Sequence, residues 1–234
     1  KFKAGLNHYK PISIPNLISD INPAENEALQ YQLYENATTV LKNENEILPI
    51  KNLVNNKIAY VKLGDDGNSS FIATLKKYTE VTEVTATTID SLNLKLKEFD
   101  TVIIGYHKAD KPWKNNDIND TELIWLQEIA KNNKVILDVF AKPYSLLPLT
   151  NYSDIEGLVI SYQNNAIAQQ VGAELIFGAI EAKGKLPVSI NDNFKLNEGL
   201  STEKMNRLGF TAPENVGMSS SVLSNIDLLA QKAI

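Results

Sequence analysis

The stretch Asp100-Thr101-Val102-Ile103-Ile104-Gly105-Tyr106 contains four consecutive residues that favour strands, followed by a glycine. Its apolar side chains do not alternate with polar ones, so neither face of the strand is expected to meet water. This pattern is typical of a strand in a parallel sheet that helices cover on both sides. In open sheets of this kind, binding and catalytic sites lie beyond the carboxyl ends of the strands. Any site is therefore expected in the loop that runs from His107 to Asp120.

Alternating strand and helix patterns surround this stretch and predict a three-layer α/β/α sandwich. Strands are predicted at residues 57–63, 81–86, 101–106, 135–140 and 157–162. Helices are predicted at 71–78, 89–96, 121–131 and 166–177, and a further helix begins at 143–147. Repeated strand–helix units form a mostly parallel sheet with right-handed crossovers. We expect the flavodoxin-like strand order 2-1-3-4-5.

Two further segments complete the predicted domain. Asn22 and Pro23 suit the cap and the first position of a helix, whose apolar spacing continues to about Asn43. The segment 185–190 is predicted as a sixth strand, and Pro187 within it indicates a position at an edge of the sheet.

The chain is predicted to have four regions. Residues 1–21 form a connector, residues 22–190 the α/β domain, residues 191–218 a linker, and residues 219–234 the first helix of a further domain. A serine among residues 219–221 is predicted to cap that helix, since no nucleophile motif surrounds these serines.

The composition excludes several classes of protein. The net charge of −5 argues against a nucleic-acid partner, because a surface that binds phosphates needs a basic excess. Without cysteine the chain has no disulfide, no thiolate nucleophile and no cysteine-ligated zinc or iron–sulfur cluster. No stretch reaches the ~20 apolar residues of a membrane helix, so no membrane segment is predicted.

The loop after the first predicted strand contains Gly64 and Gly67 but does not predict a nucleotide site. Asp65 and Asp66 would repel a phosphate, and the spacing of a dinucleotide-binding motif is missing. A phospho-receiver domain would need an aspartate at the end of the third strand, where Tyr106 follows Gly105. We therefore expect neither a cofactor nor a metal.

Three residues of the loop after the central strand are candidates for contact with a substrate. His107 is interpreted either as a proton carrier or sugar contact, or as a loop histidine that bonds nearby backbone. Trp113, with Asp110 beside it, could stack on the apolar face of a sugar while the carboxylate binds hydroxyls. Trp113 could equally pack the loop onto the fold.

Two stretches together resemble the second domain of glycoside hydrolase family three. Residues 35–50, which end in Leu48-Pro49-Ile50, are similar to the helix and turn that open that domain. Residues 172–190, with Leu175-Ile176-Phe177-Gly178 and Gly184-Lys185-Leu186-Pro187-Val188, are similar to its closing segment. The resemblance covers roughly residues 22–190.

The resemblance implies that a TIM-like barrel precedes this domain and carries an aspartate nucleophile for retaining hydrolysis. Lys3-Ala4-Gly5-Leu6-Asn7 looks like the exit of that barrel, which is itself absent from this chain. Members similar to β-glucosidases place a catalytic glutamate in the loop after the third strand, but this chain has no glutamate there before Glu122. Members similar to β-N-acetylhexosaminidases use a histidine of the barrel. The resemblance therefore implies a hexosaminidase, with no catalytic residue in this chain.

The segment 207–218 is similar to the stretch that leads into a β-lactamase-like module, as in some proteins of the bacterial envelope. The full-length protein is then expected in the periplasm or cell envelope, although no export signal is visible here. The expected partners are the barrel, the downstream module and a carbohydrate such as a peptidoglycan fragment. The alternatives are a part of a β-glucosidase or xylosidase, and a non-catalytic module for carbohydrate binding or scaffolding.

Overall fold

The computed structural model describes residues 2–8, 10, 11, 14–109, 111, 113 and 117–233. By its internal contacts the chain divides into two units, residues 31–210 and residues 1–30 together with 211–234. The first of these units contains the whole sheet.

The sheet has six strands, and its described part is parallel except at one edge. The strands are β1 (Thr39–Asn43), β2 (Ile58–Gly64), β3 (Val81–Glu83), β4 (Thr101–His107), β5 (Val135–Phe140) and β6 (Gly157–Ile160). Their order is β1-β6-β5-β4-β2-β3. Strands β2 to β6 are parallel neighbours in the predicted order 2-1-3-4-5, which is confirmed. β4 is buried along its whole length, as its uninterrupted apolar run predicts.

Helices cover the two faces of the sheet, so the predicted three-layer arrangement is confirmed. The helices of the chain are α1 (Leu17–Ile21), α2 (Ala24–Ala37), α3 (Ser69–Tyr78), α4 (Ile89–Leu96), α5 (Asp120–Asn132), α6 (Ala166–Ile176), α7 (Ser220–Leu223) and α8 (Asn225–Ala233). Helices α4 and α5 pack on the face that receives Val102 and Ile104, whereas α3 and α6 pack on the face that receives Ile103. Successive residues of β4 therefore enter two separate cores. The segment Pro143–Leu146 forms a 3₁₀ turn where a longer helix was expected.

The strand at the antiparallel edge comes from an unexpected part of the chain. The helix predicted to reach Asn43 ends at Ala37, and Thr39–Asn43 forms β1 instead. Thr39 pairs with Ile160 and Val40 with Val159. The apolar spacing that suggested a helix is satisfied here by the sheet, because tertiary pairing outweighs local helix propensity.

The predicted sixth strand at 185–190 is wrong. This segment contains no strand; it is a connection in which Leu186 and Ile190 are buried, and Leu186 donates its backbone N–H to Glu198 O at 2.8 Å. β1 pairs with the outer side of β6. The segment that contains Pro187 therefore cannot pair with β6 as an edge strand. The prediction of an extra edge strand is correct, but its assignment to this segment is not.

In the second unit, Ser219 caps α7 by accepting a hydrogen bond from the Val222 backbone N–H, as predicted for a serine at this place. Asn215 Nδ2 donates to Ala28 O at 2.9 Å. Across the described ranges, no helix combines the length and the apolar character that a membrane crossing requires.

Candidate functional site

The carboxyl ends of the parallel strands meet at one edge of the sheet, and His107 is the last residue of β4 there. Its ring is 0% exposed and lies nearly parallel to that of Phe140, with centroids 4.6 Å apart. The edge of Phe71 closes the other side at 5.7 Å. Burial among these rings lowers the pKa of His107 to about 4. The imidazole is therefore neutral at pH 7.

Both ring nitrogens of His107 are hydrogen-bonded to other side chains. Nδ1 lies 2.8 Å from Asn164 Oδ1, which can only accept, so Nδ1 carries the proton. Nε2 is then the acceptor for the hydroxyl of Tyr60 at 2.9 Å. The Tyr60 oxygen in turn accepts from Asn68 Nδ2 at 3.1 Å. The neutral tautomer is thus fixed by its neighbours.

The Asn164 amide extends this network to the loop after β2. Its Nδ2 donates to Asp66 Oδ2 and to Gly67 O, both at 2.9 Å. Gln169 of α6 donates to Gly67 O and to Asn164 Oδ1, and it accepts the backbone N–H of Phe71. The His107 ring therefore lies at the centre of a network that joins the loops after β2, β4 and β6.

Two glycines make room for this arrangement. A Cβ on Gly64 would lie 2.0 Å from the backbone oxygen of His107. Gly64 also has a φ of +88°, a backbone angle that residues other than glycine rarely adopt. A Cβ on Gly105 would lie 2.3 Å from His107 Nε2. Gly105, the residue that ends the apolar run in the sequence, is therefore needed for the Tyr60–His107 contact.

Lys108 and Glu122 form a buried ion pair beside the network. Lys108 Nζ lies 2.8 Å from Glu122 Oε1, and their side chains are only 7% and 14% exposed. Glu122 is also the third residue of α5 and forms a capping box with Asn119, accepting its backbone N–H at 3.1 Å. Glu122 therefore lies inside the helix, as expected, and its carboxylate is held by structural contacts.

The structure places two of the three predicted substrate residues, and these two have different surroundings. His107 is buried, Trp113 is 98% exposed, and Asp110 lies outside the described residues. A depression between Lys108, Ala141 and Asn164 has no room for a water molecule. Contact of these three residues with a substrate stays a prediction. The exposure of Trp113 leaves its ring free for a partner.

Sequence reasoning missed Asp138, a fully buried carboxyl in the middle of β5. Oδ1 accepts the hydroxyl of Ser161 at 2.8 Å, whereas Oδ2 has no hydrogen-bond partner among the described residues. Burial raises its pKa to about 7. The sequence feature that could have revealed this carboxyl is a single acidic residue within the apolar run Val135–Phe140.

Glu174 is a second buried carboxyl, on α6. Oε1 accepts from Gln170 Nε2 at 2.9 Å and from the Phe210 backbone N–H at 3.2 Å, while Oε2 has no partner in the described part of the chain. Burial raises its pKa to about 7. The described residues contain no cluster of three or more side chains that could bind a metal ion, so neither Asp138 nor Glu174 belongs to one.

Comparisons with known proteins agree with this architecture. The sequence profile of the glycosyl hydrolase family 3 C-terminal domain matches residues 38–219. The comparison with curated protein sequences found no match.

Similar solved structures include both glucosaminidases and glucoside-acting enzymes. A fungal multi-domain GH3 β-N-acetylglucosaminidase has a TM-score of 0.61 at 23% identity, covering 82% of this chain and 21% of its own. The β-glucoside phosphorylase BglX has a TM-score of 0.61 at 14% identity, covering 80% and 35%. A GH3 β-N-acetylglucosaminidase from Paenibacillus sp. str. FPU-7 has 0.54 at 14%, covering 82% and 37%.

At these identities the likeness shows the fold alone. The chain spans between about a fifth and two fifths of the length of these three proteins. The profile match covers all six strands of the sheet and the helices α3 to α6 that flank it. The chain belongs to the glycosyl hydrolase family 3 C-terminal domain family.

Proposed function

We propose that this chain is the α/β-sandwich domain of a multidomain bacterial glycoside hydrolase that acts on β-N-acetylglucosaminides, and that its catalytic groups lie on a barrel domain outside the chain. The domain supports the barrel and presents the loop after β4 to the sugar cleft. The observation that carries this proposal is the chemistry of the carboxyl edge, where His107 and the Lys108–Glu122 pair are committed to structural contacts.

Retaining hydrolysis needs a nucleophile and an acid/base group on either side of the glycosidic bond, and where both are carboxyls they lie ~5 Å apart. His107 is buried and neutral, so it neither reaches a bond nor holds the second proton of an imidazolium for donation at pH 7. Glu122 is ion-paired with Lys108 and caps α5. An enzyme that used Glu122 as its acid would have to break both contacts in each cycle.

The preference for N-acetylglucosaminides is supported by the sequence of the loop after β4. Members of the family that resemble β-glucosidases carry their acid/base glutamate in this loop, and residues 108–119 contain none. Members that resemble hexosaminidases take this group from the barrel. The absence of a glutamate is therefore consistent with the second type.

The exposed indole of Trp113 supports a role at the substrate cleft. A flat aromatic surface in water matches the apolar face of a pyranose.

The same exposure of Trp113 favours a second candidate function, a non-catalytic module that binds carbohydrate. In that case the isolated chain binds chitooligosaccharides, and Trp113→Ala abolishes this binding.

The test compares the complete parent protein with the isolated chain. The parent is expected to hydrolyse p-nitrophenyl N-acetylglucosaminide at least about tenfold faster, in kcat/KM, than the corresponding glucoside, and the isolated chain is expected to hydrolyse neither. Trp113→Ala in the parent should raise KM about fivefold with little change in kcat, as expected for a group that only stacks on substrate. Glucoside preference in the parent, or turnover by the isolated chain that His107→Phe abolishes, would overturn the proposal.

A β-lactamase-like module downstream and a location in the periplasm or cell envelope are part of this proposal. They are supported by the resemblance of residues 207–218. Cell fractionation of the parent protein, with labelling of its active serine by a fluorescent penicillin, tests both. Recovery of an unlabelled parent protein from the cytoplasmic fraction alone would contradict them.

A further inference from the structure

The opposite, amino edge of the sheet contains two adjoining open cavities, which we call the amino-edge groove. One has a volume of about 680 Å³ and its lining includes Leu53, Asn55, Asn56, Glu80, Phe99 and Asp100. The other, of about 480 Å³, shares Asn55, Asn56 and Asp100 with it. Each of the two is in the size range of small-molecule sites.

Asn56 and Asp100 lie where the two cavities meet, and each has one polar atom fixed and one left over. Asp100 Oδ2 accepts the backbone N–H of Lys57 at 2.9 Å, which leaves Oδ1 as an acceptor. Asn56 Oδ1 accepts the hydroxyl of Thr101 at 3.0 Å, which leaves Nδ2 as a donor. Neither of the remaining atoms bonds to a described residue. The groove therefore presents a preoriented acceptor and a preoriented donor.

A pair of this kind matches two neighbouring hydroxyls of a sugar. Each hydroxyl both donates and accepts, so one can donate to the Asp100 carboxylate while the other accepts from the Asn56 amide. Hydrogen bonds to a carboxylate are roughly twice as strong as neutral ones. Leu53, Val54 and the half-buried ring of Phe99 supply the apolar surface on which the C–H groups of a pyranose can rest.

The charges that line the groove argue for a neutral ligand. In the larger cavity Lys57 is accompanied by two acids, Glu80 and Asp100. The smaller one has two lysines, Lys51 and Lys134, against three acids, and Lys51 is already paired with Glu46 at 2.7 Å. A phosphate or carboxylate would find no excess of cations here.

We propose that the amino-edge groove, through Asn56 and Asp100, binds a neutral oligosaccharide at a site separate from the carboxyl edge of the sheet. The choice of sugar rests on the proposed function, because a domain of a glycoside hydrolase meets oligosaccharides. A second site of this kind would hold a polymeric substrate near the enzyme while another part of it is cut.

The experiment titrates the chain with triacetylchitotriose, with cellotriose and with inorganic phosphate, and follows the backbone amides by NMR. Saturable shifts at Asn56, Lys57 and Asp100 are expected with at least one of the sugars and not with phosphate. Asp100→Asn keeps an acceptor for Lys57 but turns the free acceptor into a donor, and Asn56→Asp makes the reverse change. Each should weaken binding about tenfold.

The double variant Asn56→Asp/Asp100→Asn exchanges the donor and the acceptor and keeps the net charge. Since a hydroxyl serves either role, binding should recover to within about threefold of the original. Asp90→Asn, an exposed change outside the groove, and Trp113→Ala, at the other edge, serve as controls and should leave these shifts unaltered. Thermal unfolding confirms that all variants are folded.

The proposal is overturned if no sugar gives saturable shifts at the groove, if the single variants bind as the original does, or if the shifts disappear in Trp113→Ala. Phosphate binding at Asp100 would also overturn it. These results are independent of the activity of the parent protein, so loss of the groove and loss of the proposed function give different outcomes.

Discussion

The ring planes of His107 and Phe140 differ by only 7°, with centroids 4.6 Å apart, on neighbouring strands of the sheet. This stacking places a titratable group inside an aromatic cluster and keeps it in its neutral form. The neutral His107 ring is a rigid hydrogen-bonding group that joins three loops. The same ring cannot act as an acid at pH 7.

The neutral state of His107 predicts a loss of stability in acid. Its folded pKa of about 4 lies below the ordinary 6.5, so the unfolded chain takes up the proton first as the pH falls. The contribution is fully present above pH 6.5 and is lost towards pH 4, by about 3 kcal/mol. We expect His107→Phe to cost about 2 kcal/mol at pH 7, because Tyr60 and Asn164 lose their partner. Urea unfolding should find this cost shrinking between pH 6.5 and pH 4, and a cost that is constant with pH would contradict the assignment.

Asp138 predicts the opposite trend. Its folded pKa of about 7 lies above the usual 3.8, so the folded chain holds a proton that the unfolded chain has released. Stability contributed by this group is therefore present below pH 4 and falls by up to about 4 kcal/mol as the pH rises to 7. Asp138→Asn cannot ionise, so its stability relative to the original should improve across this window. Parallel curves for the two proteins from pH 4 to pH 8 would refute this.

Gly172 of α6 faces the same carboxyl. A Cβ there would lie 2.3 Å from Asp138 Oδ2 and 3.0 Å from Ser161 Oγ. Gly172→Ala should destabilise the protein by about 2 kcal/mol, although alanine favours a helix, because the packed carboxyl has no room to move. The matched control is Gly67→Ala, where no atom lies within 4 Å and the change should be within about 0.5 kcal/mol. The double variant Asp138→Ala/Gly172→Ala should show strong coupling in a double-mutant cycle.

The Lys108–Glu122 pair predicts a structural effect without a catalytic one. Glu122→Gln keeps a side-chain oxygen that can accept the Asn119 backbone N–H but leaves Lys108 buried without its counter-charge, which should cost about 2 kcal/mol in chemical unfolding. Lys76→Met breaks the exposed pair with Glu83 and should change stability by less than about 1 kcal/mol. In the parent protein, Glu122→Gln should leave kcat within about threefold at a temperature where it is folded. A loss of about a thousandfold would make Glu122 the acid of the reaction.

The parallel part of the fold followed from the sequence because its signals are local. Buried strands such as Thr101–His107 are uninterrupted apolar runs, and Gly178, predicted to end α6, adopts φ +69° after it. Thr39–Asn43 was misassigned because Val40 and Leu41 fit the spacing of the preceding helix. Its strand partner, Ile160, is too distant in sequence for a periodicity to reveal.

The surroundings of the candidate site were harder to predict for the same reason. His107 and its position at the end of a strand were recognised, but Asn164, which fixes its tautomer, lies 57 residues further along the chain, and Gln169, which holds Asn164, lies 5 residues beyond that. Nothing local distinguishes a histidine that meets such partners from one that faces solvent. Asp138 was missed, although the sequence shows an acidic residue in an apolar strand; its proximity to Gly172 has no local sequence signal.

The pairing of β1 with β6 also has a consequence for biosynthesis. Thr39 is synthesised more than a hundred residues before its partner Ile160. The edge strand β1 is therefore unpaired during most of the translation of the domain. Pairing over such a separation is slow, and an open strand edge is a place where nascent chains associate. The sheet is completed only after β6 has emerged, so products truncated before Gly157 lack the neighbour of the edge strand.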